Sequence, residues 1–519
     1  MRKQSFIKGT MILLAAGIVN RILGFVPRIT LPRVIGAEGV GLYQLGYPFM
    51  IVIITIISGG IPLAVAKLVA EAESERDERK VRSILRASLA ITCGLAFVFT
   101  LLCIWAAPWI TSRLLTDSRV YYTFLSMCPI LPIVAVSAVY RGYFQGRQNM
   151  IPTAASQVVE TIVRIAAMLG LAYAFLPYGT EWAAAGAMMG VVVGEFGGMA
   201  VLLYSYSKGH DRIRLQAEPS ADGSASSRFR IRKLFDIAIP VTASRLVGSA
   251  SYLLESILTA QSLAIAGVAT AVATAQYGVL QGMVIPVLLL PGALTYSLSV
   301  SLVPSLSEAA ARGDMRTIHK RLHQSLRLAL VTGAPFAVIM YVLAEPLCYY
   351  LYGNAEVGKM LKMMAPVALF LYYQGPLQAT LQALDRPGSA LTNTFVGAVV
   401  KLALIVYLAS RPQWGILGAV VAINVNIALV TMLHWHSVSR LLRFRMQAGD
   451  YVKTGFAAAV MGACCYAVMN GGWHDMPFVR FASACALGSL VYLLMIVWLK
   501  LVDASDVSRL PWIGKRPRS

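Results

Sequence analysis

Three properties of the sequence predict an all-α polytopic membrane protein. Of 519 residues, 57% are hydrophobic and only 13% charged, whereas soluble domains carry about a quarter charged residues. Mean hydropathy is +0.67. The apolar residues also gather into segments of about 20, the length a helix needs to cross the hydrocarbon core. This composition excludes a soluble multidomain enzyme.

Taken in order, the apolar segments fall near 11–35, 43–66, 87–108, 120–140, 153–176, 182–206, 235–260 and 275–303. They continue near 325–345, 361–383, 389–409, 414–438, 454–472 and 479–500. That makes fourteen expected spans. Pro27, Pro48, Pro62, Pro132, Pro240, Pro286 and Pro291 fall within them, as in the kinked or broken helices that line cavities. Arg2, Lys3 and Lys8 precede the first span like the start of a signal peptide. No convincing cleavage site follows, so an uncleaved first span is expected. The polar stretch from Ser207 to Lys233 reads as a basic, flexible cytoplasmic linker.

Charge tests the topology. With the N-terminus inside, 33 Lys and Arg fall in cytoplasmic segments and 8 outside, with 4 left within spans. Cytoplasmic loops carry such an excess, so both termini are expected in the cytoplasm. The net charge of +21 follows from this bias, and no soluble basic domain is present to bind nucleic acid. The seven cysteines lie in apolar segments without a CxxC pair, so neither a disulfide nor a metal site is expected.

An offset of 237 residues aligns Glu71–Asp77 with Glu308–Asp314, Ser88-Leu89 with Ser325-Leu326, Pro129 with Pro366 and Gln145 with Gln382. With gaps, Trp182-x-x-x-Gly186 meets Trp414-x-x-x-Gly418, and Asn20–Gly24 meets Ser244–Gly248. A constant offset over more than a hundred residues signals duplication. Six spans per repeat give both halves the same orientation, related by a pseudo-two-fold axis along the membrane normal. The expected organisation is an N-lobe over 1–206, a linker over 207–233 and a C-lobe over 234–440. Two accessory helices and a basic tail fill 441–519.

Four cations lie inside spans: Arg21, Arg164, Arg245 and Lys401. A charge at the bilayer centre costs about 2.5–3.5 kcal/mol on insertion scales, so it faces protein or a water-filled cavity. The repeat pairs Arg21 with Arg245 and Arg164 with Lys401. Glu160 lies one turn before Arg164, Glu255 follows Arg245 on its helix, and Glu195 is buried in the sixth span. The set stays net cationic. Guanidinium forks suit phosphate oxygens, so the candidate site is a cavity for a strongly anionic head group. Inter-helix ion pairing within the protein is the structural alternative. Arg28 and Arg33 lie near the outer interface, where snorkelling also accounts for them. Arg141 is expected at a cytoplasmic helix end. There is no Walker A motif, no DxD pair and no catalytic or zinc-like histidine set. Neither an enzyme nor a cofactor is expected.

Several runs resemble one family: Lys3–Thr10, Asn20-Arg21-Ile22-Leu23-Gly24-Phe25, Ile35–Tyr43, Gly60–Val69 and Arg141-Gly142-Tyr143-Phe144-Gln145-Gly146. They are similar to sporulation members of the polysaccharide-transporter branch of the multidrug/oligosaccharidyl-lipid/polysaccharide flippase superfamily. The resemblance covers most of the chain. It implies fourteen helices in two lobes around a central cavity. The implied task is moving undecaprenyl-diphosphate-linked peptidoglycan precursor (lipid II type) across the membrane for spore cortex synthesis. It also implies forespore membranes as a location and cell-wall synthases as candidate partners. In related lipid II flippases an Arg within Ser-Arg-x-Leu-Gly-Phe lines the substrate cavity, a role that passes to Arg21. Their second Arg, six residues on, meets Pro27 here, with Arg28 beside it. A sodium site that some relatives build from acidic and amide groups in helices seven and eleven meets Lys401 here and does not transfer. A multidrug or other polysaccharide exporter on the same fold is the alternative. An enzyme acting on lipid-linked sugars is a further one.

Overall fold

The computed structural model describes residues 6–210, 225–444, 446, 448–472 and 475–501. Among them every regular element is helical. Twelve helices are long and apolar enough to cross a membrane by length and composition. The first of these, Met11–Ser74, takes in two of the fourteen expected spans, and the expected span at 361–383 is broken into shorter pieces. The residues divide into two compact units: Met1–Gly282 with Ala409–Ile416, and Met283–Leu408 with Leu417–Ser519.

The first unit contains α1 (Phe6–Leu23), α2 (Phe25–Ser58), α3 (Ile61–Ser74), α4 (Glu78–Trp109) and α5 (Val120–Met127). It continues through α6 (Ile130–Gly146), α7 (Ile151–Phe175), α8 (Thr180–His210), α9 (Ala225–Ile265) and α10 (Thr270–Gly278). The expected gap between the first two spans is not a loop. The chain runs through α2 and breaks only at Gly36, whose φ of 69° and ψ of 179° form a combination open essentially to glycine alone. The expected linker is likewise helical at both described ends, because α8 reaches His210 and α9 begins at Ala225. Its middle, 211–224, lies outside the described residues.

Among the described residues, two cores hold this unit. One joins Leu42, Leu45, Phe49, Phe124, Leu131, Met188 and Tyr277 from α2, α5, α6, α8 and α10. The other joins Val65, Val69, Leu85, Phe144, Leu202 and Leu234 from α3, α4, α6, α8 and α9.

The second unit contains α11 (Ile285–Leu289), α12 (Gly292–Ala311), α13 (Met315–Val342), α14 (Ala344–Tyr352) and α15 (Val357–Met364). It closes with α16 (Ala368–Ala383), α17 (Pro387–Leu404), α18 (Ile416–Leu442), α19 (Ala448–Asn470) and α20 (Pro477–Trp498). Here the accessory pair packs on α13 through Val331, Ala457, Met461, Ala484 and Tyr492. His434 is buried inside α18, with its ring Nδ1 3.1 Å from Asn393 Nδ2. The basic tail beyond 501 lies outside the described residues.

Local geometry repeats at the offset read from the sequence. Asp77 caps α4 by accepting from Lys80 N (2.9 Å), and Asp314 caps α13 by accepting from Thr317 N (3.0 Å). The residue before each cap has left-handed backbone, Arg76 and Gly313. So do Gln148 and Asp385 before α7 and α17. Each pair is 237 residues apart.

Candidate functional site: a cationic cavity in the first unit

α7 and α8 pack so closely that side chains are excluded from parts of the contact. A Cβ on Gly194 would lie 2.4 Å from Arg164 Cβ, and one on Gly190 would lie 2.2 Å from Met168 Cα. Gly194 therefore sets α8 against α7 at Arg164, and the next residue, Glu195, comes up beside the α6 and α7 side chains. The result is a cavity of about 360 Å³ lined by Tyr47, Thr55, Arg141, Arg164, Glu195 and Arg245, among others.

Arg141 lies within α6 rather than at its end. Its Nη2 donates to Glu160 Oε2 (2.8 Å) and to Glu195 Oε1 (3.1 Å). Arg164 Nη1 lies 3.5 Å from Glu160 Oε1, the expected one-turn pair. The carboxylates are nearly enclosed, with side-chain exposures of 13% for Glu160 and 10% for Glu195. A buried ion pair that loses one partner costs about 3–5 kcal/mol, so both acids depend on Arg141. Across the cavity, Arg245 makes no ion pair among the described residues. Three guanidinium groups thus face two carboxylates, and the site keeps an uncompensated positive charge.

The expected residues are distributed as follows. Arg164 and Arg245 line the same cavity, and Glu160 braces it. Arg21 is exposed in the last turn of α1, which packs against α7, but is not among the lining residues. Arg28 is exposed and sits 5.7 Å over the Phe25 ring. Glu255 is buried on α9 and accepts from Gln281 Nε2 (2.6 Å). Lys401 is buried on α17, in the second unit. The cavity also uses Arg141 and Glu195 directly. For Arg141 the available signal was its four-residue spacing from Ser137 and Gln145, which sets it on a buried face of α6.

A second ion cluster occupies the turn between α4 and α5. Asp117 is only 2% exposed and accepts from Arg119 Nε (3.1 Å), Arg119 Nη2 (2.9 Å) and Arg119 N (3.0 Å). It also accepts from Thr274 Oγ1 on α10 (2.7 Å). Arg119 Nη1 in turn holds Glu38 of α2 (2.5 Å). Burial alone would raise the Asp117 carboxyl, but the bonds from Arg119 and Thr274 outweigh it and hold its pKa below the ordinary value.

The fold and the cavity together define a class: a helical, membrane-spanning protein with a cationic cavity. Residues 6–310 match the family described as Polysaccharide biosynthesis protein, and residues 249–407 also match MatE. Stage V sporulation protein B of Bacillus subtilis (strain 168) is 41% identical over 517 residues, 99% of each chain. The Lipid II flippase MurJ of the same organism is 27% identical over 78% of each chain. In fold, the chain is similar to the solved structure of Lipid II flippase MurJ in its inward closed conformation. The TM-score is 0.71 at 14% identity, covering 94% of this chain and 99% of that one. The chain belongs to the polysaccharide biosynthesis protein family. Its relatives are transporters and flippases rather than enzymes.

Proposed function

We propose that this protein is a flippase that moves an undecaprenyl-diphosphate-linked peptidoglycan precursor of the lipid II type across the cytoplasmic membrane by alternating access, for spore cortex synthesis. The observation that carries the reading is the uncompensated positive charge of a cavity holding Arg141, Arg164 and Arg245. A diphosphate offers these groups several ionised oxygens, and charge-assisted bonds to guanidinium are roughly twice as strong as neutral ones. The sugar head enters from the cytoplasmic side and the prenyl chain stays in lipid. An inside-negative potential contributes about 2.3 kcal/mol per exported charge per 100 mV. Arg21, on α1 packed against α7, meets the head group at another stage of the cycle. The similarity to a sporulation protein along the full chain supports the cellular setting, with both termini cytoplasmic.

A multidrug exporter is the competing reading. Cationic drugs require an acidic cavity, and this one has the opposite charge. The test is flipping of fluorescent lipid II in proteoliposomes. Wild type moves the lipid, while Arg245→Ala and Arg21→Ala lose most of the activity and remain folded by circular dichroism. Wild-type rates in both variants would refute the reading.

A further inference from the structure

Neither charge balance nor phosphate binding explains why Glu195 lines a cavity for an anion with Glu160 close behind it. Glu160 and Glu195 come from different helices, yet both bind the same nitrogen, Arg141 Nη2, at 2.8 and 3.1 Å. Their oxygens are therefore within a few ångströms of each other in a nearly enclosed site, where two adjacent negative charges repel strongly. Ser137, one turn before Arg141 on α6, is fully buried. Its hydroxyl lies beside the Glu195 carboxyl. The Nε of Arg141 is buried and unpaired as well. The site thus holds two acids, a hydroxyl beside one of them and a guanidinium that is only partly satisfied.

We infer that Glu160 and Glu195 form a proton site linked to head-group binding, in which one proton taken from water neutralises a carboxylate and frees Arg141 for the phosphate. The inference rests on the reading of the cavity as a diphosphate site. The groups facing the pair are Arg141 and Ser137 on α6, Arg164 and Thr161 on α7, Arg245 on α9 and Tyr47 on α2. With the cavity empty, its three guanidinium groups balance both carboxylates and leave one positive charge. A bound diphosphate diester adds two negative charges and competes with the carboxylates for Arg141. Protonation removes the competing charge without removing an arginine. The protonated acid gains a hydrogen to donate, and Ser137 Oγ stands ready to accept it.

Proton uptake can be counted directly. The probe is undecaprenyl-diphosphate-N-acetylglucosamine, whose two phosphates stay ionised near neutral pH. Its binding to the purified, detergent-solubilised protein is measured by calorimetry in buffers of different ionisation enthalpy. The wild type should take up about one proton per lipid above neutral pH, with affinity falling up to about tenfold per pH unit. The Glu160→Gln/Glu195→Gln double variant should bind without uptake and with affinity independent of pH. Binding by wild type without proton uptake overturns the proton site and leaves the diphosphate reading standing. Equal uptake by the double variant overturns it too. Absence of any binding removes the diphosphate reading itself. The wild-type buffer series decides the matter even if the double variant misfolds.

Discussion

Two ion clusters of the first unit look alike on paper and differ in balance. Around Asp117, each oxygen of a buried carboxylate is bonded, and its neighbour Arg119 is shared with Glu38. Around Arg141, arginines outnumber acids, and the buried Nε of Arg141 lacks a partner. A satisfied cluster fastens helices together: Asp117 ties the α4–α5 turn to α10, across 157 residues of sequence. An unsatisfied one is unstable unless something completes it. The difference teaches that an ionisable residue in a span marks function through what remains unpaired, beyond its mere presence.

Perturbing the cavity should cost transport before stability. Arg245→Ala removes one set of charge-assisted bonds, about 1.5–3 kcal/mol. Lipid binding should weaken on the order of 10- to 100-fold while thermal stability in detergent is nearly unchanged. Equal losses of binding and stability would erase the distinction between the clusters.

Perturbing the fastening should do the reverse. Asp117→Ala leaves Arg119 and Thr274 without their acceptor, and a destabilisation of about 1–3 kcal/mol is expected. The melting temperature reports it. The pH dependence has a definite sign. The folded-state pKa of Asp117 is depressed, so its stabilisation is full above the unfolded value of about 3.9. It is lost as pH falls through the folded value. Melting curves from pH 6 downward should show a decline that the Asp117→Asn variant lacks in part.

The glycine contact that builds the cavity offers an intermediate case. Gly194→Val forces a side chain into Arg164, and such overpacking costs about 1–3 kcal/mol. Stability and lipid affinity should both fall, as measured by melting and calorimetry. The smallest effect is expected at Arg28, exposed over Phe25. Arg28→Ala should change flipping by less than about twofold, since exposed charges contribute little.

Much of this architecture was legible in the chain. Span length and apolar composition located the helices, because the bilayer dictates both. The 237-residue offset anticipated matching caps at Asp77 and Asp314. Within the site, the Glu160–Arg164 pair followed from helical spacing. What escaped was long-range. Arg141 looked like an ordinary positive-inside residue, since nothing local reveals that α7 and α8 bring two carboxylates to it. The Asp117–Thr274 bond joins residues no periodicity connects. The expected gap between the first two spans fell at Gly36, but hydropathy alone does not show that the chain crosses it as one broken helix rather than a loop.

The central claim is that the Arg141–Arg164–Arg245 cavity binds the diphosphate of a lipid-linked sugar. The most direct measurement compares binding of undecaprenyl-diphosphate-N-acetylglucosamine and of tetraphenylphosphonium, a lipophilic cation, to the same purified protein and to its Arg245→Ala variant. The account predicts saturable binding of the diphosphate lipid that Arg245→Ala sharply weakens, and no saturable binding of the cation. Cation binding with indifference to the diphosphate lipid would contradict it.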